Sequence, residues 1–288
     1  MSRVELVEVG PRDGLQNEKS LIPTAQKIKL VDSLSEAGFS LIEATSFVSP
    51  KWVPQLGDAA EVMAGIQRKE DVRYIVLTPN KRGLDDALAA GIDEIAVFGA
   101  ATEGFSQHNI NCSVAESLER FRSVVADALA AGVQVRGYIS VVVHCPYEGA
   151  VAPEPVLRLA EALLAMGCYE VSLGDTTGQG TADTVCSLLD RLCAELPADR
   201  LAGHFHDTNH QAIANVMHAL DYGLRRFDSA ISGLGGCPYA PGAKGNVNTK
   251  ALHDALAEAG WQTGLDRDKL TDAEQIVTAM GLNKAECR

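Results

Sequence analysis

The sequence predicts an α/β fold, a (β/α)8 TIM barrel, and three observations carry that expectation. Eight short β-rich runs alternate with amphipathic helical stretches along the whole chain. Glycines stand at or just before the start of five of these runs, at Gly38, Gly91, Gly132, Gly167 and Gly223. There a left-handed residue would end the preceding helix. The 288 residues contain no low-complexity tract, long linker or compositional break, which suits one undivided barrel.

Strands are expected at 4–9, 41–45, 72–77, 94–99, 133–143, 170–174, 201–206 and 226–231, with helical patterns such as 25–38 and 113–132 between them. A doubly wound open sheet is the competing architecture. It would usually place a glycine-rich phosphate turn after its first strand, and GPRDGLQNE lacks the GxGxxG spacing. The expected organisation is a single domain over 1–288, with the barrel at about 3–260 and a C-terminal helical extension at about 261–288. After strand eight comes GLGGCPYAPGAKGN (233–246), whose glycines and prolines suit a shaped, mobile catalytic loop.

A hydrophobic content of 46% and a mean hydropathy near zero describe an ordinary soluble globular protein. The formal net charge of −13 disfavours nucleic acid and anionic membranes as partners. No apolar run approaches the ~18 residues of a membrane span, and the N-terminus shows no charged-then-apolar signal segment. Seven cysteines without paired or metal-type spacing suit a reducing compartment, so a cytoplasmic location is expected.

In a barrel, chemistry sits at the carboxyl ends of the strands. Strand one is followed there by Arg12-Asp13 and strand two contains Glu43. Strand five ends near His144, strand six at Asp175, and strand seven in His204-Phe205-His206-Asp207. Two histidines one residue apart on a strand share a side. Such a pair alone is more often hydrogen-bonded than metal-binding. The metal reading strengthens because Asp13 from strand one and Asn246 from the strand-eight loop can reach the same axial level. Two nitrogens, a carboxylate and an amide oxygen suit Mg²⁺ or Mn²⁺. Arg12 is either an ion-pair partner of Glu43 or Asp175, or a fixed cation facing a developing oxyanion, and the two roles are compatible. Cys237, in a glycine-rich loop over a cationic mouth, suits proton transfer.

Together these residues resemble the 3-hydroxy-3-methylglutaryl-coenzyme A lyase family. The likeness runs through VEVGPRDGLQNEK (7–19), IEATSFVSPKWVPQ (42–55), FGAA (98–101), NINCS (109–113), CPYEG (145–149), GCYEVSLGDT (167–176), HFHDT (204–208) and the 233–246 loop. Arg-Asp after strand one with HxH after strand seven is also similar to the wider barrel group of isopropylmalate and homocitrate synthases. The GGCPYAPGA-type loop separates the lyase branch.

The resemblance implies a divalent-metal barrel, with Mg²⁺ or Mn²⁺, splitting a branched 3-hydroxyacyl-CoA into acetyl-CoA and acetoacetate. It places Asp13, His204, His206 and Asn246 as metal ligands. Arg12, Glu43, Asp175 and Cys237 fall at catalytic positions, with His204, Asp13 or the Cys237 thiolate as the base. Lys19, Ser46, Asn109, Tyr138 and Ser172, with Arg12, fall where family members contact or surround substrate. The expected partner is an acyl-CoA thioester, and a homo-oligomer, dimer or higher, is expected. Asn209-His210, His144 and Lys250 depart from the family pattern; the first two bear on which 3-alkyl group is accepted. Two other functions fit the same barrel: condensation of acetyl-CoA with a 2-oxo acid, and non-catalytic binding of a phosphorylated ligand.

Overall fold

Among the described residues, 3–236 and 245–282, the computed structural model closes eight parallel strands into a barrel. The strands are β1 (Glu5–Glu8), β2 (Leu41–Ser46), β3 (Arg73–Leu77), β4 (Glu94–Ala100), β5 (Gln134–Ser140), β8 (Glu170–Asp175), β9 (Leu201–Phe205) and β10 (Arg226–Ser229). Two further short strands, β6 (His144–Cys145) and β7 (Gly149–Ala150), form an antiparallel hairpin outside it. The order around the barrel is β1-β10-β9-β8-β5-β4-β3-β2, so each strand pairs with its sequence neighbours and β10 closes on β1.

The eight expected strands are all present, and the five predicted helix-ending glycines all have positive φ, from 66° to 112°. The fifth strand differs. The run 133–143 was expected to be continuous, but the strand stops at Ser140 because Val141 turns to φ 56°. Its N–H is held by Thr176 Oγ1 at 3.0 Å. A β-branched residue with positive φ is unusual, and here it diverts the chain into the β6–β7 hairpin.

Strand alternation sorts the two sides of the barrel wall. Along β5, Val135 and Ile139 join the apolar core between strands and helices, and Gly137 sits on the same side. A Cβ on Gly137 would stand 3.1 Å from Leu163 of the helix Pro153–Met166, so the missing side chain allows that helix to pack closely. Arg136 and Tyr138 project the other way and are buried. In the C-terminal stretch, the helix Arg267–Ala279 adds Leu270, Ala273 and Val277 to the core, each fully buried. Burial of such side chains stabilises by roughly 1.5–3 kcal/mol each for a leucine or valine. Asp266 at its start donates its N–H to Ala37 O at 2.9 Å. Among the described residues no helix is long and apolar enough to cross a membrane.

Candidate active site at the strand ends

Beyond β1 the chain makes a π-helical turn, Gly10–Gly14, in which Val9 O accepts from the N–H groups of Arg12, Asp13 and Gly14. Pro11 near its start supplies a preset φ and lacks only a donor that the first turn leaves unused. The turn carries Arg12 and Asp13 over the barrel mouth. On β9, His204 alternates with Phe205, and His206 follows directly. Residues 245–248 are wedged between the ends of β9 and β10. Asp207 N donates to Gly245 O at 2.9 Å, Val247 N to Phe205 O at 3.1 Å and Ala230 N to Val247 O at 3.0 Å. These bonds fix Asn246 beside His206.

One ligand atom from each of Asp13, His204 and His206 falls within 4.8 Å of the others, the one such grouping of three among the described residues. His204 Nε2 and His206 Nε2 stand 3.3 Å apart. Two cis ligands of an octahedral ion at ~2.1 Å would stand about 3.0 Å apart, close to this spacing. Asn246 Nδ2 donates to Asp13 Oδ2 at 2.8 Å, while its Oδ1 is buried without a partner. A buried, unpaired amide oxygen beside a carboxylate and two imidazoles is the donor set a hard divalent cation takes. The residues therefore fit a metal ion.

The charges keep two of the three donors, Asp13 and His206, in ligating form. Burial works to raise the Asp13 carboxyl, but Arg12, His204 and His206 hold it well below the usual carboxylate range. Burial and the neighbouring His204 push His206 down to about 4, leaving it neutral with a free lone pair at pH 7. His204 faces Asp228 through Nδ1 at 3.1 Å. Although burial lowers it, Asp228 and Asp13 raise it overall.

Arg12 pairs with both neighbours the mouth offers, Asp13 Oδ1 and Glu43 Oε2, each at 2.7 Å. Its guanidinium carbon also lies 5.8 Å from the Tyr138 ring centroid. The sequence left Glu43 and Asp175 as alternative partners, and the geometry selects Glu43. That side chain is fully buried on β2, beside a register shift between Glu43 and Thr45. Asp175 instead accepts the backbone N–H groups of Gln179 and Gly180, at 3.2 and 2.7 Å. Burial pushes it up to about 6 against those bonds. Its visible contacts hold the turn after β8.

The remaining sequence candidates divide. Tyr138 lies within the cluster, edge-on to His204 at 6.2 Å between ring centroids. Ser172 is buried beneath it and donates to Asp228 Oδ2 at 2.7 Å. Ser46 is buried and donates to Leu77 O at 3.2 Å. Lys19 and Asn109 are exposed. His144 stands 3.4 Å from Thr177 Oγ1, and His210, with φ 57°, lies 3.7 Å from Asp207. Cys237 and residues 238–244 of the predicted mobile loop lie outside the described residues.

Sequence reasoning missed Asp228, Arg136 and Glu170. Arg136 Nε donates to Glu170 Oε1 and Nη1 to the Tyr138 hydroxyl, both at 2.8 Å, and Nη2 pairs with Asp228 Oδ1 at 2.8 Å. The signal was the charged residues Arg136, Glu170 and Asp228 within the strand runs VRGYI, EVSLG and RFDSAI.

Fold and site define a (β/α)8 barrel with a histidine, carboxylate and amide centre, flanked by a buried arginine, at its C-terminal mouth. The chain belongs to the HMGL-like family, whose model matches residues 3–277. It is 54% identical over 275 residues to the mitochondrial hydroxymethylglutaryl-CoA lyase of Bos taurus, a match covering 96% of this chain and 85% of that one. Its structure is similar to that of the HMG-CoA lyase from Brucella melitensis, with a TM-score of 0.96, 55% identity and coverage of 97% and 99% of the two chains. An HMG-CoA lyase from A. baumannii, solved with coenzyme A and 3-methylmalate, is similar with a TM-score of 0.92 and 37% identity, over 96% of this chain and 91% of that one.

Proposed function

We propose that the protein cleaves 3-hydroxy-3-methylglutaryl-CoA, or a related 3-alkyl-3-hydroxyglutaryl-CoA, to acetyl-CoA and acetoacetate or its alkyl analogue, with Mg²⁺ or Mn²⁺. The observation that carries this reading is the convergence of Asp13, His204, His206 and Asn246 beside Arg12. The similarity to hydroxymethylglutaryl-CoA lyases over nearly the whole chain supports it.

In the cleavage a base takes the proton of the tertiary hydroxyl and the C2–C3 bond breaks. C3 becomes the ketone of acetoacetate, and the bonding pair passes to C2 as the thioester enolate, which is then protonated. Ionising a tertiary hydroxyl at neutral pH opposes the reaction by roughly 12 kcal/mol, and one hydrogen bond offsets only ~1–3 kcal/mol of that. Asp13, His204, His206 and Asn246 would hold a divalent ion, which would supply the missing Lewis acidity when bound. Both ring nitrogens of His204 are engaged, Nδ1 with Asp228 and Nε2 toward the cluster. Both oxygens of Asp13 are engaged as well, by Arg12 and Asn246, so His204, Asp13 and the Cys237 thiolate stand as the three candidate proton acceptors. Arg12 is a permanently charged donor fixed by Glu43, suited to the enolate oxygen. Cys237 is the proton donor to C2.

Incubation with 3-hydroxy-3-methylglutaryl-CoA and Mg²⁺ should yield acetoacetate and acetyl-CoA in equal amounts. Release of free coenzyme A from acetyl-CoA and a 2-oxo acid, without that cleavage, would instead establish the condensation.

A further inference from the structure

Asp228 sits in the middle of β10, only 2% exposed, and faces His204 from below the mouth. Three groups converge on its carboxylate. Ser172 donates to Oδ2 at 2.7 Å, His204 Nδ1 stands 3.1 Å from the same oxygen, and Arg136 pairs with Oδ1 at 2.8 Å. Arg136 is itself immobilised by Glu170 and the Tyr138 hydroxyl. A second arginine, Arg226, bridges Glu170 to Glu5 at the far end of the barrel. This polar column occupies the interior of β5, β8, β9 and β10 and ends on one imidazole.

An ionised carboxylate only accepts hydrogen bonds. Facing Nδ1, it selects the tautomer with the proton on Nδ1 and leaves the Nε2 lone pair toward His206 and Asp13. Had the interior needed only filling, apolar side chains of similar volume would have served as well or better, since buried ion pairs add little net stability.

We infer that Asp228, clamped by Arg136 and Ser172, is a positioning residue that presents Nε2 of His204 to the centre, and that Arg136 acts on the centre only through Asp228. This rests on the metal-centre part of the proposed function. The guanidinium cannot orient the imidazole directly, because both are cationic or donor groups and the Asp228 carboxylate stands between them, ion-paired to Arg136 through Oδ1 and facing His204 through Oδ2.

The test is Mn²⁺ affinity, read by electron paramagnetic resonance on the full chain without substrate. Asp228→Asn keeps the volume but removes the obligate acceptor, and should bind Mn²⁺ about 10–100-fold more weakly with an unchanged circular dichroism spectrum. Arg136→Met should also weaken binding, and that loss should vanish in the Asp228→Asn background, as a double-mutant cycle requires of a shared path. Where Arg136→Met fails to fold, Ser172→Ala takes its place in the cycle. Affinity within twofold of wild type for folded Asp228→Asn overturns the inference. So does an Arg136 or Ser172 effect that persists undiminished in the double variant. If the wild-type chain binds Mn²⁺ at His206 but splits no hydroxyacyl-CoA, the lyase reading falls while the positioning role stands. Wild-type binding no tighter than that of His206→Ala overturns both the metal centre and the positioning role.

Discussion

Asn246 donates its side-chain amide to the Asp13 carboxylate across 2.8 Å, although the two residues are 233 positions apart. They meet because β10 pairs with β1 and so closes the barrel. The donor cluster therefore exists only when the whole barrel is formed, and an ion bound there stabilises the folded chain alone. Mn²⁺ at 100 times its Kd should stabilise the protein by ~2.7 kcal/mol, read as a shift in urea midpoint. His206→Ala should show little of that shift at the same concentration. Equal shifts in both proteins would exclude His206 from the site.

Arg12 is held by two carboxylates and is the fixed cation nearest the cluster. Arg12→Gln should lower kcat by at least ~10³, a loss of roughly 4 kcal/mol in transition-state stabilisation, with a smaller effect on KM. Steady-state kinetics separates the two. A rise in KM at constant kcat would make Arg12 a substrate-binding residue only.

Glu8, fully buried on β1, accepts from the N–H groups of Gly10 and Ile231 and from the Thr249 hydroxyl. Burial dominates those bonds and raises its pKa from 4.5 to about 7. The folded state thus holds the proton that the unfolded chain has released. Its contribution to stability is full below pH 4.5 and is lost as pH rises through about 7. The loss is roughly 3 kcal/mol. Glu8→Gln should flatten that segment of the stability–pH curve, measured by urea denaturation at several pH values. An unchanged slope between pH 4.5 and 7 would place the titration elsewhere.

The barrel was legible because period-two strands, amphipathic helices and left-handed glycines are local signals, and Gly38, Gly91, Gly132, Gly167 and Gly223 all adopt the φ their positions implied. The ligand cluster was legible because each member follows or sits in a strand whose end faces the mouth. Asp228 and Arg136 were not. Their function depends on cross-strand contacts between β5 and β10, and no spacing along one strand records which interior charge meets which histidine. The kink at Val141 was hidden for a related reason: GYISVVV has uniform β character, and the turn is imposed by Thr176 from β8's far end. Lys19 and Asn109 came from the resemblance alone, with no spacing of their own to mark them, and both stand exposed.

On the proposed function, carbon–carbon cleavage depends on a divalent ion held by Asp13, His204, His206 and Asn246. The direct measurement is acetoacetate release from 3-hydroxy-3-methylglutaryl-CoA by chelator-stripped protein, before and after a titration with Mn²⁺. Stripped protein should be inactive, and activity should return in step with one ion bound per chain. Full turnover by stripped protein, or by Asp13→Ala with no added ion, would contradict it.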